Sequence, residues 1–438
     1  MKSRVPIVLQ TVAGRPMIIH VLDTAMQVRP AGIHVVFNPQ VPEVAAACTA
    51  YDITWAAQNE QLGTGHAVQQ AMPGIPDNVD VLVLYGDTPL LEADVLQKLI
   101  EFPSDGVKVL AMDVADPTGY GRIVRDNNGA VTGIVEERDA SDSQRQITEV
   151  NSGIIFAPRA DLMSCLAEMV SENSQNEYYL TDVFCIAHKK GIATDGVLAP
   201  VAEDLEGAND RIQLAALERR YCMKKSTELM QAGVQLADRE RLDVRGTVKT
   251  GTDVYIDINV ILEGEIRLGD DVHIGPGCVL KDCNLAAGTR VHAYSVLEGA
   301  RSTGACDFGP FARVRPGTEL AEGSKVGNFV EIKKTRLGKN SKASHLSYLG
   351  DSHIGDRVNI GAGTITCNYD GANKFETVIE DDVFIGSDTQ LIAPVTVGKG
   401  ANIGAGTTLS KDAPEDQLTL SRAKQVTIRG WKRPEKKT

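Results

Sequence analysis

From Ile256 onward the chain places an aliphatic residue at every sixth position, and nothing else in it restricts the fold so strongly. Ile256, Leu262, Leu268, Ile274 and Leu280 keep step. After a slip of one residue come Leu285, Val291 and Leu297, then Phe308, Val314, Leu320, Val326 and Ile332. The step returns at Ile354 and Ile360, and again from Ile379 through Ile385, Leu391, Val397 and Ile403 to Leu409. A helix repeats its apolar face every 3.6 residues and a strand every 2, so neither accounts for the pattern. A period of six is that of a parallel β-helix, in which each unit supplies one short strand and one turn, and three units close a triangular coil around inward-pointing side chains. Glycine follows the aliphatic residue at Gly269, Gly275, Gly386 and Gly398, among others, where a β-carbon would crowd a tight corner. The step is interrupted between Leu337 and Ile354 and again between Thr366 and Ile379. Interruptions in a solenoid are where binding features are expected.

Ahead of the repeats, β-rich runs at residues 33–37, 79–85, 108–113 and 154–156 alternate with helical stretches at 16–27 and 92–102. Such alternation predicts an α/β domain with a mostly parallel sheet. The run 79–85 is nearly all apolar, as in a central strand buried on both faces. It ends in Tyr85-Gly86-Asp87, and ligands of open α/β sheets bind beyond the carboxyl ends of strands, so Asp87 is a candidate metal ligand. On these residues alone Asp87 is equally a helix cap or turn former. Residues 61–66 form a glycine-containing turn that opens a helix and could cradle a nucleotide. Residues 209–232 read as a connecting helix that also covers the first coil of the repeats. The expected divisions are therefore 1–208, 209–232 and 233–438.

A chain of 438 residues exceeds one core. The formal net charge of −13 argues against nucleic acid, since phosphate backbones are held by basic surfaces; only residues 429–437 form a basic tail. No apolar run is long enough to span a bilayer, and no secretory leader is expected behind the basic start at Met1. The eight cysteines contain no CxxC pair and suit free thiols in a cytoplasmic protein.

Five stretches make the chain resemble one family from end to end: Glu60-Gln-Leu-Gly-Thr-Gly-His66, Tyr85-Gly-Asp87, Asp116-Pro-Thr-Gly-Tyr-Gly-Arg122, Gly309-Pro-Phe-Ala-Arg313 and Ile360-Gly-Ala-Gly-Thr-Ile-Thr-Cys-Asn-Tyr-Asp-Gly371. The chain is similar to the bacterial bifunctional N-acetylglucosamine-1-phosphate uridyltransferases/glucosamine-1-phosphate acetyltransferases. That resemblance implies a Rossmann-like nucleotidyltransferase domain with a mixed, mostly parallel sheet, followed by a left-handed parallel β-helix of hexapeptide repeats. It implies UDP-N-acetylglucosamine synthesis, a cell-wall precursor pathway, from glucosamine-1-phosphate, acetyl-CoA, UTP and N-acetylglucosamine-1-phosphate. It also implies a cytoplasmic homotrimer with no membrane partner.

For acetyl transfer the resemblance implies His345 as base, with Arg315, Lys333, Tyr348 and Asn359 on the sugar phosphate. Ala362, Asn368, Tyr369, Ser387, Ala405 and Arg422 would line the acetyl-CoA channel. For uridylyl transfer it implies Mg²⁺ on Asp87 and Asn209, and UTP or product contacts from Gln58, Gly63, Thr64, Tyr85, Gly86, Gly121, Glu136 and Asn151. The family's glycine-rich phosphate loop would precede the residues present here, and Ile7 stands where the family pattern has a lysine, so this second activity is expected to be weak. Three alternatives remain: acetyl transfer alone, a nucleotidyltransferase whose β-helix is only structural, or a metalloenzyme using His273, His292, His345 and His353.

Overall fold

The computed structural model describes residues 1–434 and 436, so Lys437 at the end of the basic tail lies outside the described residues. Two compact units emerge, residues 1–221 and 222–438, and the division falls inside the helix Arg211–Gln231.

In the first unit the expected runs appear as strands His34–Phe37, Asp80–Val83, Val107–Asp113 and Glu149–Pro158 and as helices Met17–Gln27 and Ala93–Glu101. The six-stranded sheet is mixed. Asp80–Val83 and Val107–Asp113 are both antiparallel to Glu149–Pro158 and therefore run the same way, and Thr194–Leu198 pairs in parallel with Val107–Asp113. His34–Phe37 and Thr54–Ala57 form a separate parallel pair. The centre of the sheet differs from the expectation. Val107–Asp113 is the strand with an almost wholly buried face pattern, whereas Asp80–Val83 has one strand neighbour among the described residues and its Leu82 and Val83 are only half-buried. An apolar run reports burial, and here helices and loops supply part of it instead of two flanking strands.

The second unit confirms the repeat. Ile256, Ile274, Val291, Phe308, Val326, Ala343, Ile360, Ile385 and Ile403 stand opposite one another in consecutive parallel pairings, one coil apart. All the aliphatic positions named above are buried in one continuous core, which Leu229 and Val234 join at its start. Removing one of these side chains to alanine would cost about 2 to 5 kcal/mol, because neighbouring coils cannot collapse into the gap. The glycines after them are required by coil spacing. A β-carbon at Gly269 would lie 2.5 Å from the backbone nitrogen of Ala287, and one at Gly386 equally close to that of Ala405.

One expected interruption does not exist. Between Leu337 and Ile354 the rungs are filled by Ala343 and Leu349, both fully buried, so the coil runs on with one residue fewer. A small residue and a shift of one position hid the step. The second interruption is real: the chain leaves the coil after Cys367 and returns at Thr377, and Tyr369 bridges antiparallel to Lys374 in the excursion.

Candidate functional site

Each unit gathers its own polar cluster. In the first unit, Gly63 caps the helix Thr64–Ala71 with φ of 109°, and a β-carbon there would lie 2.6 Å from the carbonyl oxygen of Tyr178, so only glycine fits. Gln58 Nε2 donates to Gly63 O at 3.2 Å and contacts His66 Nδ1 at 3.1 Å. Thr64 accepts the backbone N–H of Leu180 at 3.2 Å and also hydrogen-bonds the Tyr85 hydroxyl. Burial, the Glu136 carboxylate and Asp87 together push the Tyr85 phenol up to about 12, so it stays a neutral hydrogen-bonding group. The Tyr85 ring packs on Gly153, the carboxylate of Glu136 faces Gly121, and Asn151 N–H donates to Gly121 O at 2.8 Å. Gly86 lies against Val8. Gln58, Gly63, Thr64, Tyr85, Gly121, Glu136 and Asn151, expected at the nucleotide site, are thus joined by one run of contacts, whereas among the described residues no hydrogen bond ties Asn209 to them.

The Asp87 carboxylate is half-buried with its Oδ2 beside Gly207, where a β-carbon would come within 2.9 Å. Desolvation raises its pKa, opposed only by its own backbone N–H, with no basic side chain compensating it. A partly desolvated carboxylate lacking a cation, beside Gly207 in the segment that leads to Asn209, fits a hard divalent ion that keeps most of its waters. Among the described residues no set of three or more His, Cys, Asp or Glu side chains forms a metal site.

Beside this cluster, Asp182 opens the helix Asp182–Lys189 and is raised to about 6 by burial first, then by Glu136 and Asp139. A helix N-terminus favours the charged form, so burial and like charge prevail here. Because the folded-state pKa lies above the unfolded value, the folded state holds its proton more tightly, and the resulting stability is lost as pH rises through about 6. Asp182→Asn should therefore raise the melting temperature of the first unit above pH 7, and the gain should shrink toward pH 4. A gain of equal size at both pH values in calorimetry would contradict this.

In the β-helix the expected acetyl-transfer residues sort into two columns. Along one corner His345, Ala362, Ser387 and Ala405 succeed one another a coil apart, as the hydrogen bonds from Asp388 N–H to Ala362 O and Gly406 N–H to Ser387 O show. Arg422 ends this column, its guanidinium close to Gly404. Asn359 pairs in register with Lys342 on the strand that carries His345. Directly below, Asn328 pairs with His345, and its Oδ1 lies 2.7 Å from His345 Nδ1.

On the next face Arg315 pairs with Glu331 at 2.9 Å, Glu331 stands opposite Tyr348, and Lys333 stands opposite Gly350. The Tyr348 hydroxyl and the Asn368 amide crowd over Gly350, and Asn368 Nδ2 donates to Asp351 Oδ2 at 2.5 Å. Tyr369 donates to Gly371 O at 2.5 Å within the excursion. Sequence reasoning missed Lys374. Contact with this lysine and its charge, followed by the charge of Arg315, lower the pKa of the Lys333 amine. Three cations are thus held close despite their mutual repulsion, with Glu331 paired to one of them. The signal for Lys374 was its place in the same excursion as Asn368 and Tyr369. The other histidines are dispersed: His273 stacks on Tyr255 and His292 lies 3.4 Å from Asp307.

A polar cluster on an α/β sheet and a second on a β-helix fit the class of two-headed transferases. Residues 6–139 match the MobA-like NTP transferase domain, and residues 376–411 match the bacterial transferase hexapeptide of six repeats. The chain is 51% identical over 436 residues to "Bifunctional protein GlmU" of Alkalilimnicola ehrlichii, covering 99% of this chain and 94% of that protein. It belongs to the bifunctional GlmU family, and its β-helix is the left-handed hexapeptide type. No helix is long and apolar enough to cross a membrane among the described residues.

Proposed function

We propose that the β-helix transfers the acetyl group of acetyl-CoA to the amine of glucosamine-1-phosphate, and that the α/β unit then joins N-acetylglucosamine-1-phosphate to the uridylyl group of UTP. The observation that carries this reading is the Arg315, Lys333 and Lys374 cation group on the coil face that follows the His345 column. The cations would hold the sugar phosphate, and the column Ala362, Ser387 and Ala405 would guide the thioester, with Tyr348, Asn359, Asn368, Tyr369 and Arg422 at its edges. His345 takes a proton from the amine as its nitrogen bonds to the thioester carbonyl carbon. The tetrahedral intermediate then expels the thiolate of CoA, which leaves with a proton.

In the other unit Asp87 and Asn209 would hold Mg²⁺, which supplies charge neutralisation at the phosphates when bound. Gln58, Gly63 and Thr64 would hold the uracil, while Gly121, Glu136 and Asn151 would orient the sugar. Tyr85 and Gly86 place Asp87 there. Incubating the protein with glucosamine-1-phosphate and acetyl-CoA should yield the acetylated sugar phosphate, and adding UTP should convert it to UDP-N-acetylglucosamine only slowly, because Ile7 stands where a lysine is expected. Failure to acetylate glucosamine-1-phosphate at all would refute the reading.

The β-helix also carries a surface for its own copies. Tyr294, Phe311 and Phe329 stack a coil apart at one corner, with ring centroids 5.5 and 5.3 Å apart, and Leu346 continues the ladder beside His345. All four have positive φ and are 47 to 64% exposed, a contiguous apolar strip of the kind that marks an interface. A homotrimer that buries this strip would close the site around His345 with a neighbouring chain. Sedimentation of the full chain should give three copies. Changing Phe311 and Phe329 together to Glu should release monomers that retain uridylyl transfer and lose acetyl transfer; a trimer unaffected by both charges would place the interface elsewhere.

A further inference from the structure

We propose that Asn328 is a positioning residue for acetyl transfer, holding His345 in the one tautomer that can act as a base; this rests on the reading of His345 given above. The sequence hides the pair, because the two residues are separated by almost a full coil. The strand Lys325–Asn328 lies parallel to Lys342–His345 with Asn328 opposite His345, and the amide oxygen of Asn328 is 2.7 Å from His345 Nδ1. An amide oxygen only accepts, so Nδ1 carries the proton and the lone pair of Nε2 is left for the substrate amine. The hydrogen bond also fixes the rotation of a ring that is otherwise exposed.

A neutral partner has a second consequence. A carboxylate in this place would stabilise the imidazolium and keep the base protonated at neutral pH. An amide orients the ring without adding that charge. Asn328 heads the column that continues through His345, Ala362, Ser387 and Ala405, so the device lies at one end of the acetyl-CoA track. The charged groups on the strands packed against His345 are Lys325 and Lys342, three residues back along their strands and about 10 Å away. Arg357 precedes the strand Asn359–Ile360 on the other side, and Tyr348 and Glu331 stand on the following face. These groups are common to all variants compared, so differences in pH profile report the residue at position 328.

The test compares Asn328→Ala, Asn328→Asp and His345→Ala in the full-length protein, measuring kcat, KM and the pH profile of kcat/KM for acetylation of glucosamine-1-phosphate. Asn328→Ala should lower kcat about tenfold with KM changed less than twofold. Asn328→Asp restores an acceptor of the same shape and adds charge. It should recover most of kcat above pH 8 and move the acidic limb of the profile upward by about one unit. Wild-type kcat and profile in Asn328→Ala would overturn the proposal. So would an Asn328→Asp enzyme as slow as Asn328→Ala with an unmoved limb, since that marks a merely structural residue. If Asn328→Ala does not fold, the limb in Asn328→Asp decides alone. His345→Ala separates the two levels: full activity there removes the base itself, whereas an inactive His345→Ala beside a wild-type Asn328→Ala removes only the positioning role.

Discussion

His345→Ala should lower acetyl transfer by about 10² to 10⁴ in kcat while the oligomeric state and melting temperature stay as in the parent. The size follows from what the side chain would do. Without a base the proton of the attacking amine must go to water, and general-base contributions of this kind span that range. Folding should be spared because His345 is exposed at a corner and its neighbours Ala343 and Leu349, not the imidazole, fill the core. KM for glucosamine-1-phosphate should change little, since Arg315, Lys333 and Lys374 remain. Arg315→Ala should show the opposite division, a raised KM with kcat largely kept. Steady-state kinetics at several pH values checks both. Wild-type turnover in His345→Ala at neutral pH would return His345 to a surface residue.

Ile7→Lys should raise uridylyl transfer by about tenfold to a hundredfold. Ile7 begins a short 3₁₀ turn, Ile7–Leu9, and is partly exposed. Val8, the next residue, lies against Gly86 of the Tyr85-Gly86-Asp87 corner. An aliphatic side chain cannot neutralise the charge that develops on a transferring phosphate, and one missing donor of this kind is worth on the order of 3 kcal/mol. Pyrophosphate release from UTP and N-acetylglucosamine-1-phosphate, followed with Mg²⁺ present, reads the effect. Ile7→Leu serves as the control of shape without charge, and acetyl transfer should be unchanged in both. A lysine variant no faster than the leucine variant would show that the charge is supplied from elsewhere.

The sequence by itself determined the β-helix almost residue by residue. In a solenoid each coil touches only its neighbours, so the local period of six encodes the core directly, and Ile256 through Leu409 are buried where that period puts them. The excursion after Cys367 was equally legible, since thirteen residues separate Thr366 from Ile379 where six would do. The interruption read before Ile354 was not one. Ala343 is small and the coil is a residue short, and only the pairing of Ala343 with Val326 and Ile360 restores the rung. Tertiary structure alone decided which groups meet: Asn328 beneath His345, Lys374 beside Lys333, and Gln58, Thr64, Tyr85, Gly121, Glu136 and Asn151 in one run of contacts. Those contacts join positions far apart in the chain, whose spacing is set by coil length, a hairpin excursion and strand order, and no short-range period records such distances.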